Sequence, residues 1–535
     1  MDDSLVARLK AQSAAIADIQ RVAGTPGLSL GVFHHGRILH TAHFGRRDVG
    51  SLEPVNDDSV YFVASAFKIV TVSAIARLVT DGLLGWDVPV RDYLPAFQQR
   101  HDEVGLKATI RDLIANRTGW PMASCYWGQQ NGEQLLDKSE FVSIANSLEA
   151  VKPFRSTFIY SQWNYCLIHI IVESVTGKSF GHFVREAIFE PLHLTSSTFD
   201  IPTTTNLAKP HATRNDGSAC SITTNNFDSS TGLAAGGGGK STIKEMLTIY
   251  MALLAAYRHQ VDNNVDTTPN SPFTQLRTIF TPHIHVTRSQ LDKQAYCLGL
   301  YRTQLPGNLS CASINSLMLR NKIPIFGDAS GTDIFHHSST TPGYFGAMYM
   351  VPSTQSGVVV LTNATPLMDA ADFSAQLLLS VLLGVKAPAH LLSLAKTAAK
   401  TQIGWYDQLS SFLASGKTDT PPTHPLSAYS GTYINAAHNF RILVTPRADG
   451  LHVSMQGKPL TTYVLKPWDG DSFSWEVDRE RELIDRGMFL TPFPQIHLMH
   501  FGVTEKAVQS LTWQHDPLAE PELFQRDDGE ALARL

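Results

Sequence analysis

The pattern Ser-x-x-Lys occurs three times, as Ser65-Ala66-Phe67-Lys68, Ser241-Thr242-Ile243-Lys244 and Ser393-Leu394-Ala395-Lys396. A serine hydroxyl becomes a useful nucleophile only when a neighbouring base takes its proton. A lysine three residues on can be that base if both side chains share a helix face in surroundings apolar enough to lower the ammonium pKa. The serine should also open the helix, where free N–H groups and the positive dipole end can stabilise an oxyanion. Ser65 meets these demands. It follows the strand-like Tyr61-Phe62-Val63-Ala64 and opens a run in which Ile69, Val72, Ile75, Ala76 and Val79 recur at helical spacing. Ser393 falls mid-helix on a solvated face, and Ser241-Thr242 reads as an N-cap after a Gly-rich loop. Ser29, in Gly27-Leu28-Ser29-Leu30-Gly31, matches the G-x-S-x-G elbow of another hydrolase class. That elbow needs a strand before the serine and a helix after it. Here proline and glycine precede Ser29 and strand residues follow, so it reads as one rung of a hairpin.

The elements that must position Ser65 are legible around it. Two β-rich stretches flank a His35-Gly36 turn, and residues 334–362 return to strand character. Residues 100–260 are mainly helical patterns joined by Gly/Pro/Asn loops. Strands, a helical lobe and strands again predict an α+β catalytic domain over residues 1–416, with the lobe at about 80–260 and both ends of the domain building one antiparallel sheet flanked by helices. Residues 417–427, KTDTPPTHPLS, read as a linker. From 428 to 535 short alternating runs separated by turns predict an all-β barrel or sandwich.

Composition narrows the chemistry. With 535 residues and net charge −5, the chain carries no basic stripe, and nucleic acid is not an expected partner. The N-terminal MDDSLVARLKAQSAAIADIQ is amphipathic and lacks the basic start and apolar run of a secretory signal. No stretch reaches the roughly 20 apolar residues of a membrane span. Five scattered cysteines without CxxC spacing fit reduced thiols, so a cytoplasmic location is expected. His336-His337 and His283-x-His285 lack the carboxylate-histidine company of a metal site. Neither metal nor cofactor is expected.

The segments TPGLSLGVFHHGRILHTAHFG, VYFVASAFK, DGLLGWDVPVRDYLPAF, TIRDLIANRTG, FIYSQWNYCLIHIIVESVTGKSF, LAAGGGGKST and HHSSTTPGY, in this order, resemble the serine β-lactamase and penicillin-binding-protein superfamily. The branch is that of class C β-lactamases, D-aminopeptidases, esterases and fungal acyltransferases, and the likeness covers most of residues 20–385. It implies a β-lactamase/transpeptidase-like fold, and the C-terminal β domain resembles the lipocalin-like domains appended to some members. By the same resemblance Tyr160-Ser161-Gln162 stands at the family's Tyr-x-Asn, so Tyr160 shuttles the proton of Ser65 beside Lys68, and Gln162 departs from asparagine. His337-Ser338-Ser339 stands at Lys-Thr-Gly or His-x-Gly, with Ser339 in the usual glycine's place. His337 would then orient the tyrosine or a substrate carboxyl, and the N–H of Thr340 would complete an oxyanion hole with that of Ser65.

The expected activity is ping-pong acyl transfer. Ser65 attacks an ester, thioester or amide, and water or a small-molecule acceptor takes the acyl group. Ser338, Ser339, Gln162, Trp127, Trp163 and Tyr344 are expected substrate-side residues, and Trp120 and Tyr126 join the last three as aromatics able to line an apolar pocket or simply to pack. The expected donor is a small molecule, a carrier-bound thioester being one candidate, in a natural-product setting suggested by the fungal members. The alternatives are a D-amino-acid peptidase or β-lactamase, or a silent binding module. Intact Ser65, Lys68 and Tyr160 speak against the last.

Overall fold

The alternating residues on either side of His35-Gly36 form the hairpin of β1 (Gly27–His34) and β2 (Arg37–Gly45), and both turn residues adopt positive φ, +49° and +71°. That is the backbone a tight two-residue hairpin demands. A computed structural model of the chain describes residues 2–126, 134–223, 227–286, 293–328, 331–488 and 493–527. The next strands are β3 (Tyr61–Phe62), β4 (His211–Thr213), β5 (Ala219–Ser221), β6 (Lys240–Ser241), β7 (Ile284–His285), β8 (Gln294–Tyr296), β9 (Tyr301–Gln304), β10 (Asp333–Thr341), β11 (Tyr344–Val351) and β12 (Ser356–Thr362). Eight of these strands build one sheet in the order β2-β1-β12-β11-β10-β9-β8-β7. The ends of the catalytic region therefore meet, with Leu30 opposite Val360.

Burial on both faces explains why β1, β11 and β12 read as continuous apolar runs. On one face Leu28, Leu30, Val32, Val358 and Val360 pack with Ala371, Ala375, Leu378 and Leu379 of the helix Ala370–Leu383. On the other the helix Ile243–Asn263 comes so close that a Cβ on Gly31 would lie 2.6 Å from Leu247 Cδ1. Two further pairs, β3 with β6 and β4 with β5, stand apart from the sheet. β9 accompanies β10 only from Asp333 to His336, whereas β11 continues to Thr341. The edge of β10 from His337 onward therefore has no strand beside it among the described residues.

The chain divides into two compact units, Met1–Gly119 with Lys152–Gln402, and Trp120–Val151 with Ile403–Leu535. The division falls inside the helix Leu391–Gly416, and residues 417–425 carry neither helix nor strand. In the second unit β13 (Gly431–Ile434), β14 (Arg441–Arg447), β15 (Gly450–Met455), β16 (Tyr463–Asp469), β17 (Ser472–Ser474), β18 (Leu498–Val503), β19 (Val508–Trp513) and β20 (Glu522–Asp527) close into an antiparallel barrel. Alternate side chains such as Tyr433, Val453, Phe473, Phe501 and Phe524 fill its interior. Trp120–Val151 joins this unit through specific bonds. The N–H of Ala123 donates to Asp516 Oδ2 at 2.8 Å, the Tyr126 hydroxyl donates to the Glu522 carboxylate, and Asn439 Nδ2 donates to Glu140 Oε2 at 3.0 Å. Among the described residues no helix is long and apolar enough to cross a membrane.

Candidate active site

Ser65 lies on a tight turn between β3 and the helix Lys68–Thr80. The N–H groups of Val63 and Ala64 both donate to the carbonyl of Gly239, at 2.8 and 3.2 Å, and that of Ala66 donates to the carbonyl of Val63 at 3.0 Å. These bonds hold Ala64 at φ +38°, a conformation that a residue with a Cβ rarely adopts. The expected helix start at Ser65 is thus a short 3₁₀ turn, Ala64–Phe67, and the α-helix begins at Lys68. The kink at Ala64 is the physical reason: the backbone enters the helix only after the strained turn is closed.

Three oxygens surround the lysine amino group. Lys68 Nζ lies 2.8 Å from Gln162 Oε1, 3.4 Å from Ser65 Oγ and in a short hydrogen bond to the carbonyl of Gly236. It also sits over the rings of Tyr165 and Tyr160, 4.3 and 5.0 Å from their centroids. Burial of this side chain, 1 % exposed, holds its pKa well below the ordinary lysine value. A lysine held below its ordinary value gives up its proton more readily, and in its neutral form it can act as a base toward the adjacent serine hydroxyl. The Tyr160 hydroxyl donates to Ser65 Oγ at 2.8 Å, and burial pushes the phenol above its usual range, so it stays protonated as an acid.

Local sequence explains why these side chains converge. Asn116, at φ +54°, accepts the N–H of Ser161 and Asn164 Nδ2 through Oδ1, each at 3.0 Å, and its carbonyl accepts the N–H of Ile159. The chain on either side of Tyr160 is thereby fixed, and Gln162 opens the helix Gln162–Thr176 toward Lys68. Gly236 makes room for the longer glutamine arm, since a Cβ there would fall 2.3 Å from Gln162 Oε1. Asn116, Gly236 and Gly239 were not singled out in the sequence as site residues. Their signal lies in the ANRTG and AAGGGGK segments, but what they supply is backbone carbonyls, room and an amide brace, which residue type alone does not announce.

His337 is buried, and its Nδ1–H donates to the carbonyl of Ser338 at 2.6 Å, leaving Nε2 3.4 Å from the Tyr296 hydroxyl. Burial first, and the Lys68 charge second, take its pKa down to about 3. It therefore presents a neutral ring, 5.9 Å from that of Tyr160 between centroids. Ser339 Oγ donates to the carbonyl of Val63 at 2.7 Å. Ser338 and Thr340 lie on the open edge of β10. Trp163 is fully buried, and Tyr344 stacks on Phe62 with its hydroxyl on the carbonyl of Ala208. Both pack in the interior of the catalytic unit, Trp120 and Tyr126 fall in the other unit, and Trp127 lies outside the described residues.

The rival serines are accounted for. Ser29 is fully buried on β1, where its hydroxyl meets His43 Nδ1 at 2.9 Å and the Tyr61 hydroxyl at 2.8 Å, while His43 Nε2 meets Asp57 Oδ1 at 3.0 Å. This string has the residue types of a catalytic triad, but a strand-bound serine with no exposed surface cannot receive a substrate. Ser241 pairs with Ser197, and Thr242 caps the helix behind it. A fluorophosphonate probe is accordingly expected to leave one adduct, on Ser65. Labelling of Ser29 or Ser241 in Ser65→Ala, read by peptide mass spectrometry, would contradict the assignment.

Comparison with known proteins gives the family. Residues 13–383 match the Beta-lactamase family, and residues 415–529 match a domain of unknown function, DUF3471. The protein flp of Staphylococcus aureus strain NCTC 8325 is 25 % identical over 185 residues, 32 % of this chain and 35 % of that protein. The match thus spans about a third of that relative's length. The unguisins hydrolase ungD of Aspergillus violaceofuscus is 22 % identical over 487 residues, 84 % of this chain and 80 % of its own. The octameric penicillin-binding protein homologue from Pyrococcus abyssi shares the fold at a TM-score of 0.56 and 17 % identity, covering 96 % of this chain and 99 % of its own. The chain belongs to the Beta-lactamase family.

Proposed function

We propose that Ser65 forms an acyl-enzyme with an uncharged small-molecule ester, thioester or amide. The reading is carried by His337: its ring N–H is spent on the Ser338 carbonyl, and burial keeps the imidazole neutral. The position expected to meet a substrate carboxylate thus offers no cation, and the Lys68 amino group is committed to Gln162, Gly236 and Ser65. Neutral Lys68 takes the proton of Ser65, and Oγ adds to the carbonyl carbon. The resulting oxyanion is received by the N–H groups of Ser65 and Thr340. The Tyr160 phenol protonates the leaving group as the tetrahedral intermediate collapses, and the proton held by Lys68 restores it. Water or a small acceptor then repeats the steps in reverse. The proposal includes a natural-product setting, supported by the likeness to the unguisins hydrolase over most of both chains, and the cytoplasmic location expected from the scattered cysteines.

The test is a substrate comparison. p-Nitrophenyl esters of medium-length neutral acyl groups are expected to turn over far faster than penicillin or a D-amino-acid peptide, both of which place a carboxylate near the scissile bond. Penicillin turnover equal to that of the esters would overturn the proposal. Added alcohols or amines that speed release of the acyl group would identify a transferase, and steady water-driven turnover a hydrolase.

A further inference from the structure

Ser339 stands where the resemblance expects glycine, and its hydroxyl faces the protein interior. It is fully buried, and Oγ donates to the carbonyl of Val63 at 2.7 Å, across 276 residues of sequence. That carbonyl also accepts the N–H of Ala66 and so closes the turn Val63-Ala64-Ser65-Ala66. Ala64 within it is held at φ +38°. Strain of this kind persists only where the surroundings over-determine it. Gly239 supplies one restraint from the side of β6, and Ser339 supplies the other from β10. Room for the side chain comes from the facing strand. Gly346 lies opposite Ser339, and a Cβ on it would stand 3.1 Å from Ser339 Cβ and 3.0 Å from Leu361 Cδ2.

The bond therefore connects two segments that must keep a fixed spacing. One carries the N–H of Ser65. The other carries, one residue beyond Ser339, the N–H of Thr340. We infer that Ser339 is a positioning residue that sets the distance between these two oxyanion donors through the carbonyl of Val63. The inference rests on the oxyanion assignment of the proposed function. Donors fixed in advance act on charge that develops in the transition state, so loosening their spacing lowers kcat and leaves substrate binding largely unchanged. The proton chemistry of Lys68 is untouched, since the Ser339 hydroxyl is on the Val63 carbonyl and Lys68 Nζ is on Ser65, Gln162 and Gly236.

The experiment measures burst acylation by p-nitrophenyl butyrate and fluorophosphonate labelling of Ser65 in the full chain. Ser339→Ala is expected to lower the acylation rate constant about 10-fold, as loss of one neutral hydrogen bond would. KM should stay within about twofold and the acid limb of the pH profile should not move, because the lost bond touches neither binding contacts nor the base. Ser339→Thr keeps the hydroxyl and should restore most of the rate. Gly346→Ala crowds Ser339 from the facing strand without removing the hydroxyl, and should also slow acylation, which keeps the inference testable if one variant folds poorly. Wild-type acylation in both Ser339→Ala and Gly346→Ala would overturn the inference while leaving Ser65 as nucleophile. A loss confined to KM, or a displaced pH limb, would assign Ser339 a different role. Absence of a Ser65 adduct in the unaltered protein would bring down the proposed function and this inference together.

Discussion

Lys68→Met is expected to slow acylation of Ser65 by about 10²–10⁴-fold, the usual value of general-base help. Among the described residues no second base hydrogen-bonds the hydroxyl: its other partner, Tyr160, donates to it and is kept protonated by burial. Tyr160→Phe should cost a comparable factor, and the double variant little more, because both groups serve one proton path. The pH dependence has a definite sign. Lys68 must be neutral to act, so acylation is lost as pH falls through its depressed pKa and is fully present above it. Gln162→Glu places a carboxylate where the amide oxygen now stands, 2.8 Å from Nζ. It favours the ammonium and should move the acid limb to higher pH. Stopped-flow acylation with an activated ester across pH reads both effects. Full activity in Lys68→Met, or an unmoved limb in Gln162→Glu, would refute this division of labour.

Asp372→Ala is expected to destabilise the catalytic unit by about 2–4 kcal/mol, since a buried donor that loses its acceptor costs about 1–3 kcal/mol. Asp372 is fully buried, accepting from the Tyr349 hydroxyl at 3.0 Å and Gln376 Nε2 at 2.7 Å on Oδ1, and from Ser310 Oγ at 2.7 Å and Asn315 Nδ2 at 2.9 Å on Oδ2. Truncation would take an acceptor from four donors, of which Asn315 Nδ2, Gln376 Nε2 and the Tyr349 hydroxyl have a second at Asp369, Ser310 and Leu309. Its neighbour Asp369, also fully buried, caps that helix and accepts from Ser313 Oγ at 2.8 Å. Burial first, and the Asp372 charge second, push Asp369 up to about 7. A carboxyl raised in the folded state contributes stability that is present below its unfolded pKa, near 4, and is lost as pH rises through 7. Asp369→Asn keeps the cap and removes the titration. Its melting temperature should match wild type near pH 4 and exceed it increasingly up to pH 8. A constant offset across that range would show that Asp369 is not the titrating group.

Much of the fold and the candidate nucleophile were legible because their signals are local. Helical recurrence after Ser65, alternation around His35-Gly36 and the short runs after residue 428 each arise from neighbours in the chain, and the hairpin, the central sheet and the closed barrel follow from them. The Ser65-Lys68 spacing likewise places two groups together whatever the rest of the molecule does. Other assignments needed partners that no local pattern names. Gln162 and Ser339 read in the sequence as substrate-side departures, yet their side chains reach Lys68 and Val63, 94 and 276 residues away. Gly236 and Gly346 give them space, a relation visible only once the backbones are adjacent. Trp120–Val151 looks like part of the helical lobe by sequence, and its hydrogen bonds assign it to the barrel's unit. The charge of His337 is decided the same way. Residue type permits either state, and the depth of burial together with the Ser338 carbonyl leaves it neutral. Sequence by itself determined which residues could do chemistry and on which faces of which elements they stand, because those faces are set by the periodicity of the backbone. Tertiary structure alone decided what each polar group is spent on and which state it is held in, because desolvation and hydrogen-bond satisfaction depend on groups that only folding brings together.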